Sequence, residues 1–367
     1  MTSKITLFDH FQKPLVELSN IPTTPRSWVE NAYGKCEFAI STDDTACKPQ
    51  YLQFGNLIHI QHIASVDADG NTLGKLPDWT GILLPPRTWD KGLIRLTGYS
   101  AEAILDFRSM PYVSVDNTPA NVFKRILELS RKIYTNIIIN FGITEDVGQN
   151  HQDDFKLSGY AHIKKIVDNN QMDWDVTGFI DDAGNLELQG NLYFEKGRQA
   201  NYTLTETNTE LTSPYLTEQG TPSNVVHGFS QAQTQNSRRG AIGINQAALD
   251  LYGPLELNKV FMGTKDEAAV KTAAQAWADE NGSPITRINR NVLNMGKAFD
   301  YMEVGNILPI HERAGVGFLP RGGFGIDGFV RIISVSYNDL TDKVPLNVDI
   351  NPPLKNTGVG VFNGTNF

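Results

Sequence analysis

Short apolar and alternating runs dominate the first 115 residues and predict β-strands. Each run has the length of a strand and is bounded by Pro, Gly, Asn or Asp, which commonly form turns. Short strands at this spacing favour a sandwich or a barrel. The predicted strands are 5–8, 14–18, 34–41, 57–63, 81–84 and 93–98.

Residues 79–108 carry the most informative pattern, WTGILLPPRTWDKGLIRLTGYSAEAILDFR. Apolar runs at 79–84 and 93–98 flank a polar turn at 89–92, so they predict an antiparallel hairpin. An L-x-x-R segment that ends at Arg108 follows at once. None of these residues forms an evident reaction centre, and we expect the segment to supply part of a barrel wall.

Three segments with helical periodicity interrupt the strands. In the first, apolar residues recur every three or four positions behind Thr118 and Pro119, which suit an N-cap and the first helical position. The third begins at a capping box formed by Thr264 and Glu267 and is ended by Gly282. The predicted helices are 119–134, 160–169 and 266–280.

The rest of the chain predicts a second β-rich region and an irregular end. Further strands are expected at 137–141, within 172–197, and at 202–211, 285–292, 301–304, 329–337 and 344–350. The class is therefore β-rich α+β with a few inserted helices. We expect a first β-barrel-like domain at 1–115, a helix-bearing α+β region at 116–235, a C-terminal β-rich region with one helix at 236–350, and an extended tail at 351–367.

Composition and charge narrow the function. The chain has 367 residues, 40% of them hydrophobic and 20% charged, as in ordinary globular proteins. Its net charge of −9 disfavours a protein that wraps nucleic acid, because such binding needs Lys and Arg to neutralise phosphates. The same charge suits a surface past which DNA slides without sticking.

Two cysteines, Cys36 and Cys47, are too few for a disulfide framework, so assembly in a reducing cytoplasm is expected. The N-terminal residues lack the basic start and unbroken apolar core of a signal peptide. The sequence also lacks an apolar run of about 18 residues, the length that predicts a transmembrane helix.

Motifs with possible chemistry are each better explained as structure. The G-x-G-x-x-G match at 323–328 is followed by a predicted strand instead of a helix, so a hairpin loop is favoured over a nucleotide site. Aligning Gly70 with the invariant glycine of a calcium loop puts Leu76 where the bidentate Glu belongs, so 67–71 is predicted to be a turn. His59 and His62 are spaced to opposite faces of a strand and cannot share one metal ion.

Adjacent carboxylates and a basic pair complete the survey. The aspartate pairs 43–44, 153–154 and 181–182 lie in turn-like contexts. Arg238 and Arg239 form a small basic spot that is either a solvated loop or a contact to an acidic partner. We predict no catalytic residue, no cofactor and no metal ligand.

Landmarks along the chain occur in a characteristic order. After the first helix come MDWDV at 172–176, GNLEL at 184–188, NVVHG at 224–228, YGPLE at 252–256 and VGNIL at 304–308, before a final strand at 330–337. Together with the pattern of 79–108, this order resembles the tail hub proteins of bacteriophages over residues 28–350. Related proteins are the hubs of contractile tails, the tail-tip proteins of siphophages and the N-terminal part of secretion-system spike proteins. Gly305-Asn306 departs from the expected G-D pair.

The resemblance implies a fold, an assembly and a set of partners. Two barrel-like antiparallel domains, built from strands distant in sequence, are expected in each subunit of a homotrimeric, pseudo-sixfold ring. The ring would join the tail tube protein to the central spike or tail-tip protein and contact the tape-measure and other baseplate proteins. DNA would pass its channel as transient cargo. The implied location is the virion tail, after assembly in the host cytoplasm and without stable membrane insertion.

A tail-associated carbohydrate-binding or wall-degrading protein is the alternative function. Trp79, Trp89, Tyr99 and Tyr112 offer aromatic rings for a sugar platform, although we expect these rings to pack the first barrel. Solution mass distinguishes the two functions, because a monomer active on glycans contradicts the hub.

Overall fold

The computed structural model describes residues 2–19, 21, 24–133, 136–146, 150–205, 207–219, 222–230, 239–261, 266–282, 285–312, 326–341 and 343–350. The chain divides into two compact units. Unit 1 comprises Met1–Tyr215 and Asn289–Phe367, and unit 2 comprises Leu216–Ile288. Among the described helices, none combines the length and the apolar character needed to cross a bilayer.

The strands are β1 (Thr2–Phe8), β2 (Pro14–Leu18), β3 (Arg26–Val29), β4 (Lys35–Ser41), β5 (Leu57–Ile63), β6 (Trp79–Asp90), β7 (Leu93–Ser100), β8 (Val113–Asn117), β9 (Ile139–Thr144), β10 (His151–Phe155), β11 (Asp173–Ile180), β12 (Leu186–Tyr193), β13 (Leu204–Thr205), β14 (Thr209–Gln219), β15 (Val225–Ser230), β16 (Gly240–Ile244), β17 (Glu256–Phe261), β18 (Ile285–Leu293), β19 (Ile307–Glu312), β20 (Ile326–Tyr337) and β21 (Lys343–Ile350). The α-helices are α1 (Pro119–Ile133), α2 (Gly159–Asn170), α3 (Gln246–Tyr252) and α4 (Glu267–Asn281). Short 3-10 helices cover Ala101–Leu105 and Ala298–Tyr301.

One large sheet of unit 1 joins the beginning of the chain to its end. Its strand order is β14-β18-β21-β20-β3-β4-β7-β6-β5-β1-β2, and β13 and β19 attach through β20. The connection is the antiparallel pairing of β3 with β20, in which Arg26 lies opposite Tyr337. The β-rich class with large antiparallel sheets and few helices is confirmed.

The N-terminal part of this sheet curls around an apolar core. Arg26 of β3 donates to Ser3 of β1 at 2.7 Å, although several strands separate them in the sheet order. Trp79 of β6 is fully buried and its Nε1 donates to the carbonyl oxygen of Ser27 on β3 at 3.0 Å. These contacts across the core give the wall the barrel-like form that the short strands predict.

The hairpin predicted at 79–108 is confirmed as β6 and β7. Both strands run farther than the apolar pattern indicates and turn at Lys91 and Gly92, which have positive φ. The 3-10 helix that follows is buried, and Arg108 beyond it donates to the Ile137 carbonyl oxygen at 2.5 Å and bonds to Ser130 Oγ of α1. Arg108 therefore anchors the end of the barrel wall to the helical layer.

A helical layer covers a second core in unit 1. Helix α1 packs against the sheet β11-β12-β9 and α2 packs against α1, and Phe123, Ile126 and Ile163 are buried in the shared core. The predicted helices 119–134 and 160–169 are confirmed as α1 and α2 within one residue at each end. Ser158 caps α2 by accepting the backbone N–H of Ala161.

Unit 2 contains a three-stranded sheet, the short helix α3 and the longer helix α4. The order is β16-β15-β17, and α4 lies against one face, where Val226, Ala274 and Ala278 are buried. A Cβ at Gly243 would stand 2.2 Å from the Ala274 backbone, so this glycine permits the close approach of the helix. Helix α4 confirms the third predicted helix.

Some local predictions are wrong. The expected strand 301–304 follows a 3-10 helix and lies in a turn, because Phe299 is drawn into the core and Asp300 accepts the backbone N–H of Lys75. The expected strand 202–211 is two strands separated by a turn, in which Asn208 Oδ1 accepts the N–H of Thr205. The cap of α4 is Asp266, which accepts the N–H of Ala269, whereas Thr264 lies outside the described residues.

Candidate functional site

Two loops of the pattern D-x-x-G-N use their aspartate in the same structural way. Asp67 accepts the backbone N–H of Asn71 at 2.8 Å and the Asn71 side-chain amide at 3.0 Å. Asp181 makes the same two bonds to Asn185 at 2.8 and 2.9 Å. The Asn side chain in each loop lowers the pKa of the aspartate below its ordinary value. The turn predicted at 67–71 is confirmed, and Asp181 of the pair 181–182 is also a turn former.

The two histidines of β5 have separate buried partners. His59 Nδ1 lies 2.8 Å from Thr80 Oγ1. His62 Nδ1 donates to the Pro77 carbonyl oxygen at 2.6 Å, and its Nε2 accepts from Arg26 Nε at 2.8 Å. Burial, followed by the Arg26 charge, lowers the pKa of His62 to about 3. Within the described residues, no group of three or more His, Cys, Asp or Glu side chains is placed to hold a metal ion.

The prediction of a turn-like context is wrong for the aspartate pair 153–154, because both residues lie in strand β10, where they make structural hydrogen bonds. Asp153 accepts from His162 Nδ1 and from Lys165 Nζ at 2.9 Å. His162 Nε2 accepts the backbone N–H groups of Lys156 and Leu157, so both ring nitrogens of His162 are engaged in internal hydrogen bonds. Asp154 accepts from Ser114 across the strand pair β8–β10.

The pair 43–44 lies in a turn, where Asp44 accepts the N–H of Ala46. Three other sequence candidates fall wholly or partly outside the described residues: positions 323–325 of the glycine motif, Arg238, and the tail 351–367. The described Arg239 donates its backbone N–H to Ser230 Oγ at 2.8 Å.

Charged groups inside unit 1 are paired with one another. Arg331 of β20 donates to Asp173 and Glu30 at 2.7 Å each and to Glu195 at 3.3 Å. Burial opposes the Arg331 charge, but the carboxylates of Glu30 and Asp173 raise the arginine pKa above its ordinary value. This cluster joins the large sheet to the β11–β12 layer. Its arginine is paired with carboxylates of the same chain, so we interpret the cluster as structural.

The four aromatic residues considered for a sugar platform are divided between core and surface. Trp79 is fully buried in the core of the first barrel, which confirms the prediction for this residue. Tyr99 is half-buried and packs edge-on against Tyr33, beside the core of the helical layer. The prediction is wrong for Trp89, 66% exposed, and for Tyr112, 73% exposed.

One face of the β16-β15-β17 sheet in unit 2 carries exposed apolar side chains. Strand registers place Val225 opposite Ile244, His227 opposite Ile242, and Phe229 beside Val260. Residues that face one another across strands project from the same side, and here that side is the one opposite α4. We call it the open face and define it by Val225, Phe229, Ile242, Ile244 and Val260.

The open face is exposed to solvent. Ile242, Ile244 and Val260 are 48%, 40% and 45% exposed, and His227 donates toward Glu256 at 3.1 Å near one end. Large contiguous patches of exposed apolar surface are typical of interaction sites in general. The sequence did not predict the open face, because the strands VVHGFS and GAIGI are interrupted by glycine; alternation of apolar residues in β16 was the available signal.

A second group of exposed apolar residues lies in unit 1, just before the start of β8 and just after the end of β10. Phe107, Tyr112 and Leu157 are 66%, 73% and 46% exposed. Met110 donates its N–H to the Leu157 carbonyl oxygen beside the bridge of Ser109 with Ser158, so these residues lie on two paired segments.

The fold is shared with solved structures of phage tail proteins. The 43 kDa tail protein of prophage MuSo2 from Shewanella oneidensis matches at a TM-score of 0.59 and 12% identity, over 95% of this chain and 98% of that one. A tail protein of Neisseria meningitidis MC58 matches at 0.55 and 12% identity, over 96% and 97%.

A secretion-system protein has the same fold. It is an Escherichia coli component of the type VI secretion system with structural similarity to the bacteriophage T4 tail proteins gp27 and gp5, and it matches at a TM-score of 0.50 and 10% identity, over 95% of this chain and 76% of that one. No family model and no curated protein matches the sequence. The resemblance to tail hub proteins is thus confirmed at the level of the fold.

Proposed function

We propose that this protein is the structural hub of a phage tail or of a phage-like injection machine. Three copies would form a pseudo-sixfold ring that joins the tail tube to the central spike or tip and lines the channel for DNA. The observation that carries the proposal is a fold match to tail proteins along almost the whole of both chains. The ring contacts and the channel belong to the proposal.

Two features of the molecule support an assembly role over catalysis. Residues of the types that serve in catalysis or metal binding are engaged in internal hydrogen bonds and ion pairs. Examples are His62, Asp153 and Arg331. Apolar side chains, in contrast, are exposed on the open face and at Phe107 and Tyr112. Large exposed apolar groups cost free energy unless a partner buries them.

Solution mass and electron microscopy test the proposal. We expect the purified chain to sediment at three times its 40.7 kDa mass and to appear as a ring with a central channel. Co-expression with the tail tube and spike proteins from the same genome should yield a stacked complex. A monomer that binds or cleaves cell-wall glycans would contradict the hub and support the carbohydrate-binding alternative.

The spike and tube contacts are tested separately from the ring. We expect pull-down of tube and spike proteins by the trimer, each on its own, with no loss when nuclease removes DNA. If the trimer forms but retains neither protein, the protein is an oligomer without the adaptor role.

A further inference from the structure

We propose that His151 is the proton-sensing residue of an acid-sensitive latch, which holds the end of β10 to β8 at neutral pH and releases it when the imidazole takes up a proton. The latch consists of His151, its partner Asn117 on β8, and Asp153, His162 and Lys165 around the ring. The inference goes beyond the proposed function and does not depend on it, because all these residues lie in unit 1 of one protomer.

The His151 ring is buried without a hydrogen bond at one of its nitrogens. Only 4% of the residue is exposed. Within the described part of the chain, its Nε2 has no hydrogen-bond partner, and the Oδ2 atom of Asp153 lies 4.0 Å away, too far for a hydrogen bond. A neutral imidazole tolerates this place, whereas an imidazolium carries two N–H donors and a charge that is costly to bury.

The carboxylate beside the ring is already engaged. Asp153 accepts from His162 Nδ1 and from Lys165 Nζ, the latter at 2.9 Å. His162 cannot take up the proton in place of His151 without losing two bonds, because its Nε2 accepts two backbone N–H groups of the segment before α2. A proton that enters this cluster therefore resides on His151, beside the positive charge of Lys165.

The surroundings of the ring disfavour its charged form. Burial lowers the pKa of His151 below its ordinary value of 6.5, and the attraction of Asp153 does not offset it. Lys165 and His162 on α2 lower this pKa further. On β8, the residue opposite His151 is an uncharged asparagine, and the neighbouring Asp116 projects to the other face of the strand pair.

The position of His151 makes the release local. Its pairing with Asn117 is the last pair of the β8–β10 ladder, so it can open while the other pairs remain. The Oδ1 atom of Asn117 accepts the backbone N–H of Thr118 at 2.8 Å and the side-chain amide of Asn121 at 3.0 Å, where α1 begins. Protonation of His151 therefore loosens the end of the strand pair and, through Asn117, the first turn of α1.

The latch opens as the pH falls. In the open form the ring is solvated and titrates near 6.5, whereas the closed form takes up the proton only at a lower pH. The closed form is therefore fully favoured above pH 6.5. Below it, each pH unit favours opening by up to about tenfold, the limit for a single proton.

Hydrogen exchange of the whole chain at about pH 7.5 and about pH 5 tests the latch, after correction for the intrinsic pH dependence of exchange. Amides at the β8–β10 end and in the first turn of α1 should open roughly tenfold more at the lower pH. His151→Gln should abolish this increase, whereas His10→Gln, at an exposed position, should retain it. The inference is overturned if the wild type shows no increase, or if His151→Gln retains it.

A second measurement identifies the charges that control the latch. Proton NMR titration of the histidine rings should find His151 below 6.5. Lys165→Gln should raise this pKa and reduce the acid-induced exchange, because a positive charge near the ring is removed. Lys164→Gln is the control, since Lys164 is exposed on the same helix and pairs with Asp168 at 3.6 Å. A His151 ring that titrates at 6.5 or above in the folded chain would overturn the inference.

Discussion

Unit 1 and unit 2 bury their apolar residues in different ways. Unit 1 encloses large side chains such as Trp79, Phe123 and Phe299 completely and pairs its interior charges, as in the Arg331 cluster. Unit 2 packs small residues under one helix and leaves the other face of its sheet open. The difference indicates that unit 1 encloses most of its apolar residues by itself, whereas unit 2 leaves apolar residues of its sheet exposed.

The largest expected effect comes from removing the central side chain of the barrel-like core. Trp79→Ala should lower the stability of unit 1 by about 3–5 kcal/mol, because the fully buried indole leaves a cavity and an unpaired Ser27 carbonyl. Urea unfolding followed by fluorescence of the remaining tryptophans measures it. The control is Trp89→Ala at an exposed position, with an expected change under about 0.5 kcal/mol. Equal effects would contradict the assigned core.

A pH effect is expected in unit 1 from the buried His62. Burial and Arg26 lower the pKa of His62 from 6.5 in the unfolded chain to about 3, so between these values the unfolded chain binds a proton that the folded chain does not. Stability from this residue is therefore full above pH 6.5 and falls as the pH drops toward 3, by about 1.4 kcal/mol per unit at most.

Urea unfolding at several pH values measures this slope. His62→Gln should flatten it, whereas His10→Gln, on an exposed turn, should leave it as in the wild type. An unchanged slope in His62→Gln would show that other groups control the acid sensitivity.

The close packing of α4 on unit 2 can be broken with one methyl group. Gly243→Ala places a Cβ 2.2 Å from the Ala274 backbone, so the helix must move, at a cost of about 1–3 kcal/mol to unit 2. Gly240→Ala on the same strand meets Phe229 at 3.4 Å, an ordinary contact, and serves as the control. Hydrogen exchange in α4 should rise only for Gly243→Ala, with α1 unchanged. Equal exchange in both helices would mean that the units unfold together.

The smallest effect concerns a turn of unit 1 that is held by side-chain hydrogen bonds to other segments. Gln12 has a φ of 66° but donates from Nε2 to the Leu186 carbonyl oxygen and accepts the N–H of Ile138 at Oε1. Gln12→Gly relieves the backbone yet loses both bonds, for a net loss of about 1 kcal/mol. Lys91→Gly, at an exposed turn with φ of 46°, should gain a few tenths to about 1 kcal/mol. Thermal unfolding compares the two, and a gain at Gln12 would show that its side chain does not hold the turn in place.

Local patterns were sufficient for elements that one stretch of chain can specify. The hairpin of β6 and β7, helix α1 and the Asp67 turn follow from alternation, from a 3.6-residue period and from Asx turn chemistry. The order of landmarks also indicated the correct fold. Strands β15 and β16 were not predicted because glycines interrupt their apolar pattern, although Gly228 and Gly243 permit the close approach of α4.

The sequence by itself determined which segments become strands and helices over most of the N-terminal half, and which aspartates form turns. Only the tertiary structure decided that β3 pairs with β20, that His62 is buried beside Arg26, and that one face of unit 2 is open. The reason is the range of the forces involved. Propensity and turn bonds act over a few residues, whereas the choice of a distant strand partner, and of the face left uncovered, depends on burial summed over the whole chain.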